Sequence, residues 1–197
     1  MTTGRPPSTT HDQIASVALD LFARRGFEAT TVEEIAAAVG VGRRTIFHYF
    51  PSKNDMVWGN FDWVLDRLRT HLEESDEETS LIDAVRRAAL LSNRYPAEQL
   101  PELRIRMTLI TSVPALQAHS MLRYAAWRQV IAEFAAERLG VAPNEIAPQT
   151  IAHAALGAST AGFTRWVEHP EEDLDGCLET AYRLLAEGFA TPAGDQG

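Results

Sequence analysis

The chain has 197 residues, 45% of them hydrophobic and 23% charged, an ordinary globular composition that excludes a disordered chain. No apolar run reaches the roughly 18 residues a membrane span needs, the N-terminal MTTGRPPSTTHD lacks a signal-peptide core, and the single Cys177 can form no internal disulfide, so a cytoplasmic location with no membrane partner is expected. Residues 1–50 hold five Lys/Arg against five Asp/Glu and residues 51–197 hold 13 against 22, so the second part carries the whole net charge of −9 and repels nucleic acid; any DNA contact must come from the first.

Residues 1–9 form a Pro-rich arm, expected to be flexible, whose Arg5 could reach a DNA backbone or minor groove. Ile14, Ala18, Leu21 and Phe22 then recur at helical spacing until Gly26. Thr31 opens Thr-Val-Glu-Glu, a capping box with Glu34, and Val32, Ile35, Ala36 and Val39 give that short helix its apolar face before Gly40. A third short helix covers about 43–50 and stops at Pro51. Ser52 can cap a long fourth helix with Val57, Phe61, Val64, Leu65, Leu68 and Leu72 on one face. EESDEETS, residues 73–80, reads as a solvated connector. Further helices are expected at about 80–94, 98–112, 115–139, 144–168 and 172–190, with prolines near their boundaries. With no period-2 strand pattern, the fold class is all-α. The tail TPAGDQG, residues 191–197, is expected to fray.

Two short helices joined by a tight glycine turn suggest a helix-turn-helix. Ala36 is small where the helices cross, Gly40 can take the left-handed turn conformation, and Ile46 and Phe50 return apolar side chains to the core. The second helix would enter a major groove with its N-terminal residues leading. Arg43 and Arg44 sit there, and arginine matches the O6 and N7 edge of guanine. Thr45, His48 and Tyr49 can donate to phosphate or base, and Lys53 can meet a phosphate at the start of the fourth helix. Arg43 and Arg44 could instead be a solvated helix face. Phe47 is either core or a contact to a phosphate or thymine methyl. Thr31 is a cap first and a phosphate contact second.

TTVEEIAAAVGVGRRTIFHYFPSKNDMVWG, residues 30–59, resembles the DNA-binding region of the TetR family of transcriptional regulators, and the resemblance runs from residue 11 to about 60. It implies a TetR-like all-α subunit. A helix-turn-helix DNA-binding head would occupy 10–55, and a ligand-binding and dimerisation domain 56–190. The partners implied are a palindromic double-stranded operator, a second copy of the chain and a small-molecule effector, with no cofactor. The family's recognition helix commonly ends Tyr-x-His-Phe, whereas this chain has Phe47-His48-Tyr49-Phe50, which leaves either His48 or Tyr49 as the phosphate contact. FHYFPSKNDMVWGNFD, residues 47–62, is similar to the same stretch in regulators associated with mycofactocin gene clusters, which implies an acyl-CoA or lipid-like effector. The function expected is a repressor released from its operator by a largely apolar effector.

Trp58, Phe61, Met107, Met121, Tyr124, Trp127, Phe163 and Trp166 are core by spacing, and are also the residues that could line an effector cavity. Arg104, Arg106, Arg123 and Arg128 could neutralise an acidic ligand. Ala155, Ser159 and Gly162 form a small-residue stripe that suits a dimer interface or tight packing within the subunit. The alternatives are an all-helical enzyme or ligand-binding protein using the C-terminal cavity, or a protein-binding adaptor. Gly157-Ala158-Ser159-Thr160-Ala161 is a weak match to a nucleophile elbow, lacking its final glycine. No HExxH or HxxxH pair marks a metal site, and none is expected.

Overall fold

The computed structural model describes residues 10–188. The expected arm at 1–9, with Arg5, and the tail at 191–197 lie outside the described residues. Ten α-helices and one short 3-10 turn follow one another, with no strand among the described residues. They are α1 (His11–Arg25), α2 (Val32–Val39), α3 (Arg43–Tyr49), α4 (Lys53–Trp58), α5 (Phe61–Glu73), α6 (Leu81–Ser92), α7 (Leu100–Ser112), α8 (Pro114–Leu139), α9 (Ile146–Glu168) and α10 (Leu174–Ala186). The chain divides into two compact units. The first holds residues up to Phe61 and Ala97–His119; the second holds Asp62–Pro96 and the residues from Ser120 on.

In the first unit α1 packs on α2, α4 and α7, and α2 packs on α3. Ile14, Ala18 and Phe22 of α1, Ile35 of α2, Ile46 and Phe50 at α3, and Met56 and Val57 of α4 bury almost completely. The apolar spacing anticipates this core except for Met56, which lies off the expected face of Val57. It did not show the capping box that opens α1, where Thr10 accepts from the Gln13 N–H and the Gln13 side chain answers. The signal was the Thr-x-x-Gln of residues 10–13.

The long fourth helix expected over 52–72 is two helices. α4 ends at Trp58, and Gly59 at φ 58° and ψ −145° turns the chain before α5 begins at Phe61. That conformation is close to forbidden for residues with a Cβ, so the break is tied to this glycine.

In the second unit α9 and α10 form an antiparallel pair and α6 packs against both. Asp173 caps α10 by accepting from the Gly176 N–H at 2.7 Å. The pair is close because Gly162 of α9 faces Leu178 of α10: a Cβ at Gly162 would lie 2.8 Å from Leu178 Cδ2 and 3.0 Å from its Cα. Buried Tyr182 crosses the same seam, donating to the Ala155 carbonyl at 3.0 Å and meeting Ser159 Oγ at 2.8 Å. Gly162→Ala should therefore destabilise by about 1–2 kcal/mol, because Leu178 Cδ2 can rotate away but the α10 backbone can yield only by shifting the helix. A lower unfolding temperature by calorimetry is the expected reading; no change would mean the helices separate freely.

Candidate nucleic-acid interface

The α2–α3 segment is built from its caps inward. Thr31 Oγ1 accepts from the Glu34 N–H at 3.2 Å, and Glu34 Oε2 accepts from the Thr31 N–H at 2.8 Å. The Thr31 N–H and hydroxyl, with Arg25 beside them, hold the Glu34 carboxyl below its ordinary value. At the other end Gly40 adopts the left-handed conformation, φ 79° and ψ 29°. The Gly40 N–H then donates to the Ala37 carbonyl and the Val41 N–H to that of Ala36, which is the two-bond glycine closure of a helix. Gly42 starts α3 by accepting from the N–H groups of Thr45 and Ile46.

The turn fixes which side of α3 faces outward. Ile46 and Phe50 are buried, the Phe50 ring lying 4.0 Å from that of His11. Arg43, Arg44, Phe47 and His48 are exposed, and Thr45 and Tyr49 are half-buried. Positions 43, 44, 47 and 48 are three and four apart, so they form one outward stripe. Phe47 is not core: it is 39% exposed, with the Arg43 guanidinium 5.3 Å from its ring centre. Arg43 Nη1 pairs with Glu33 Oε1 at 2.9 Å. Arg44 has no ion-pair partner among the described residues. His48 stands edge-on to Tyr49, 5.5 Å between ring centres.

The structure places Lys53 differently from the expected phosphate contact. Its Nζ donates to the carbonyls of Phe27 at 2.9 Å and Thr30 at 3.2 Å, and lies 4.3 Å from the Phe27 ring centre. The ammonium ties α4 to the α1–α2 loop, and only its third proton is left for DNA. Lys53→Ala should lower stability by about 2 kcal/mol, in the range for hydrogen bonds to a charged group. The log–log salt slope of DNA binding should change by less than the roughly 0.9 of one full phosphate contact. A full loss of that slope with an unchanged unfolding temperature would return Lys53 to the phosphate.

α4 is held at both ends within its unit. Asp55 accepts from Ser52 Oγ at 2.6 Å and meets His119 Nε2 at 3.0 Å. Arg106 of α7 donates to the Val57 carbonyl and to Glu102 Oε1 at 3.0 Å. Arg106, expected as a ligand cation, is thus used inside the protein.

The eight aromatic and methionine residues expected at a cavity do not gather in one unit. Trp58, Phe61 and Met107 belong to the first; Met121, Tyr124, Trp127, Phe163 and Trp166 belong to the second. Trp58, Phe61, Trp127 and Trp166 are buried, whereas Met121 is 61% exposed. Ala155, Ser159 and Gly162, expected either at a subunit contact or in tight packing within the subunit, are buried against α10 of the same chain, where their size serves the helix crossing. The outward face of α9 instead carries a shallow, open strip formed by His153, Leu156, Gly157, Thr160, Ala161, Thr164, Arg165 and Glu168. Its small residues also recur four apart, but periodicity alone does not say which stripe faces α10. Ser159 lies in mid-helix and bonds to Tyr182, without the strand-to-helix turn a nucleophile elbow requires.

His169, Glu171 and Glu172 do gather between α9 and α10, at a spacing that matches no metal-binding motif in the sequence. Arg165 grips both Glu172 oxygens and Cys177 donates to one of them. These contacts, the Arg165 hydrogen bond first, pull the Glu172 carboxyl down to about 2, and burial with the neighbouring Glu172 pushes the Cys177 thiol up to about 11. A cation there would compete with a guanidinium already in place.

Residues 14–57 match the family described as bacterial regulatory proteins, tetR family, and residues 79–190 match the MftR C-terminal domain. Over 186 residues, 94% of each chain, the sequence is 39% identical to a Mycobacterium tuberculosis protein, MftR, named as a mycofactocin biosynthesis transcriptional regulator. Two solved structures share the fold. Bacillus subtilis FadR, solved with stearoyl-CoA, superposes with a TM-score of 0.65 at 17% identity over 91% of this chain and 99% of that one. Thermus thermophilus FadR, a repressor solved with lauroyl-CoA, gives 0.58 at 23% identity over 95% and 99%. The two family matches and the near full-length similarity agree with the helix-turn-helix built by α2 and α3: the chain belongs to the TetR family of bacterial transcriptional regulators, in the group with an MftR-type C-terminal domain.

Proposed function

We propose that the protein is a dimeric, sequence-specific repressor that an acyl-CoA or similar lipid-like thioester releases from a palindromic operator. The observation that carries the reading is the outward stripe of α3, with Arg43 and Arg44 leading on a helix whose other side is locked by Ile46 and Phe50. Thr31, Thr45, Phe47, His48 and Tyr49 flank these arginines as backbone or base contacts. Two such helices related by a dyad read half-sites about 34 Å apart, or somewhat more. The open, outward strip of α9 is the surface we assign to the second copy, in place of the stripe facing α10. The effector class is supported by the acyl-CoA ligands of the two FadR structures. Its binding acts on α3 through α4, whose ends Lys53, Asp55 and the Val57 carbonyl fix to neighbouring elements.

The test is fluorescence anisotropy of the full chain on duplexes tiling the DNA around its own gene, with random duplex as competitor. One duplex should bind specifically, and lauroyl-CoA should weaken it roughly 5- to 150-fold, the span of about 1–3 kcal/mol of coupling. Specific binding that acyl-CoA leaves unchanged would remove the effector class and keep the operator reading. No salt-sensitive specific complex with any duplex would remove both.

A further inference from the structure

Arg43 is held from two sides before any DNA arrives. Glu33 Oε1 of α2 lies 2.9 Å from its Nη1, and the Phe47 ring, one turn along α3, lies 5.3 Å from the centre of its guanidinium. The neighbouring carboxylate plays no part, because Glu34 is taken up by Thr31 and by Arg25 at 2.9 Å. Both partners of the Glu33–Arg43 pair remain well exposed, with side chains 59% and 63% accessible. An ion pair in that setting adds little to stability. Its position on the outer stripe of α3 gives it a different consequence.

We infer that Glu33 is a positioning residue of the DNA contact, holding Arg43 toward a base while cancelling its charge toward phosphates, so that Arg43 contributes to discrimination and not to sequence-independent affinity. This rests on the operator reading proposed above. A guanidinium carries five N–H donors. With one Nη1 proton on Glu33, enough donors remain for the two parallel bonds that guanine O6 and N7 accept. A free arginine at a groove rim would bind any phosphate and release a counterion whatever the sequence. A carboxylate 2.9 Å away removes most of that attraction. It leaves the short, directional hydrogen bonds to a base edge.

The experiment uses the full chain and Glu33→Gln, which keeps the side-chain shape and removes the charge. Binding to the specific duplex and to random duplex is measured over a salt series. Random-duplex affinity at low salt should rise about threefold, within the coupling range of an exposed pair. The log–log slope on random DNA should steepen by up to about 0.9. Affinity for the specific duplex should change by less than about twofold, so the discrimination ratio falls. In an Arg43→Ala background Glu33→Gln only removes an unpaired carboxylate, so affinity for both duplexes should rise alike and the discrimination ratio should stay as it is, whereas a fall in the ratio there equal to that in the wild-type background would show that Glu33 acts without Arg43 and overturn the inference. Unchanged slope and ratio in a protein that still binds its operator specifically would overturn it and spare the operator reading. Absence of specific binding by the wild-type chain would overturn both.

Discussion

Arg43→Ala and Arg44→Ala should each weaken operator binding by about 1–3 kcal/mol, roughly 5- to 150-fold, if each arginine reads one guanine. The two variants should differ on random DNA. Arg43 already has a carboxylate at 2.9 Å and on this reading meets no phosphate, so its removal should change the salt slope on random duplex by well under about 0.9, while the Glu33 carboxylate left unpaired lowers random-duplex affinity modestly by repulsion. Arg44 has no ion-pair partner among the described residues. Its removal should shallow the slope on random duplex by about 0.9 while also costing operator affinity. The double variant should lose specific binding almost completely, since about 2–6 kcal/mol approaches the whole margin between specific and non-specific complexes. Neither substitution should alter the unfolding temperature, because both side chains are exposed and the anchors of α3 are Ile46 and Phe50. Anisotropy titrations on the two duplexes at several salt concentrations separate these effects. Equal losses on operator and random DNA for Arg43→Ala would mean that it touches phosphate and reads nothing.

The head was legible because its signals are local. Thr31 and Glu34 lie within one turn, and the left-handed Gly40 follows directly on the last apolar position of α2. Ile46 and Phe50 return to the core at helical spacing. The internal hydrogen bonds of Lys53 are not legible for the opposite reason. A lysine at a helix start beside a helix-turn-helix has the right charge for a phosphate. Nothing local shows that the carbonyls of residues 27 and 30 come to lie beneath it. The small stripe on α9 is legible in the sequence, but whether it packs within the subunit or between subunits is not. Two stripes of Gly, Ala, Ser and Thr run along the helix, and only the fold decides that Ala155, Ser159 and Gly162 meet α10 while Gly157 and Ala161 face outward. The family match extended the reading to the whole chain, yet it fixes neither the operator nor the effector. Those depend on exposed side chains, whose identity packing does not dictate.

The break at Gly59 was hidden by the same arithmetic that made the head clear, and it carries the second large expected effect. Val57, Phe61, Leu65, Leu68 and Leu72 keep a helical period straight through it, and one glycine costs a helix only about 1 kcal/mol, so the periodicity outweighs the glycine when the sequence alone is read. A side chain 49 positions along the chain from Val57 closes in on this turn. Arg106 of α7 donates to the Val57 carbonyl, and its guanidinium fills the space where a side chain at residue 59 would start: an added Cβ would lie 2.7 Å from Nη1. Gly59→Ala therefore meets two costs. The backbone at φ 58° and ψ −145° is nearly reserved for glycine, and holding alanine there costs about 1–3 kcal/mol. Displacing the guanidinium from the Val57 carbonyl adds about 1.5–3 kcal/mol. The expected sum of about 2.5–6 kcal/mol is large for one methyl group, and calorimetry should show a fall in unfolding temperature beyond that of Gly162→Ala. Arg106→Ala separates the terms. It loses the hydrogen bond but relieves the steric contact, so adding Gly59→Ala to it should cost only the backbone share. The double variant should then be more stable than the two single losses predict. Strict additivity would show that Gly59 is required by its conformation alone, with the guanidinium free to move aside. Sub-additivity would tie the C-terminal end of α4 to α7 through one cation, in the segment that joins Lys53 and the α3 contact to the rest of the chain.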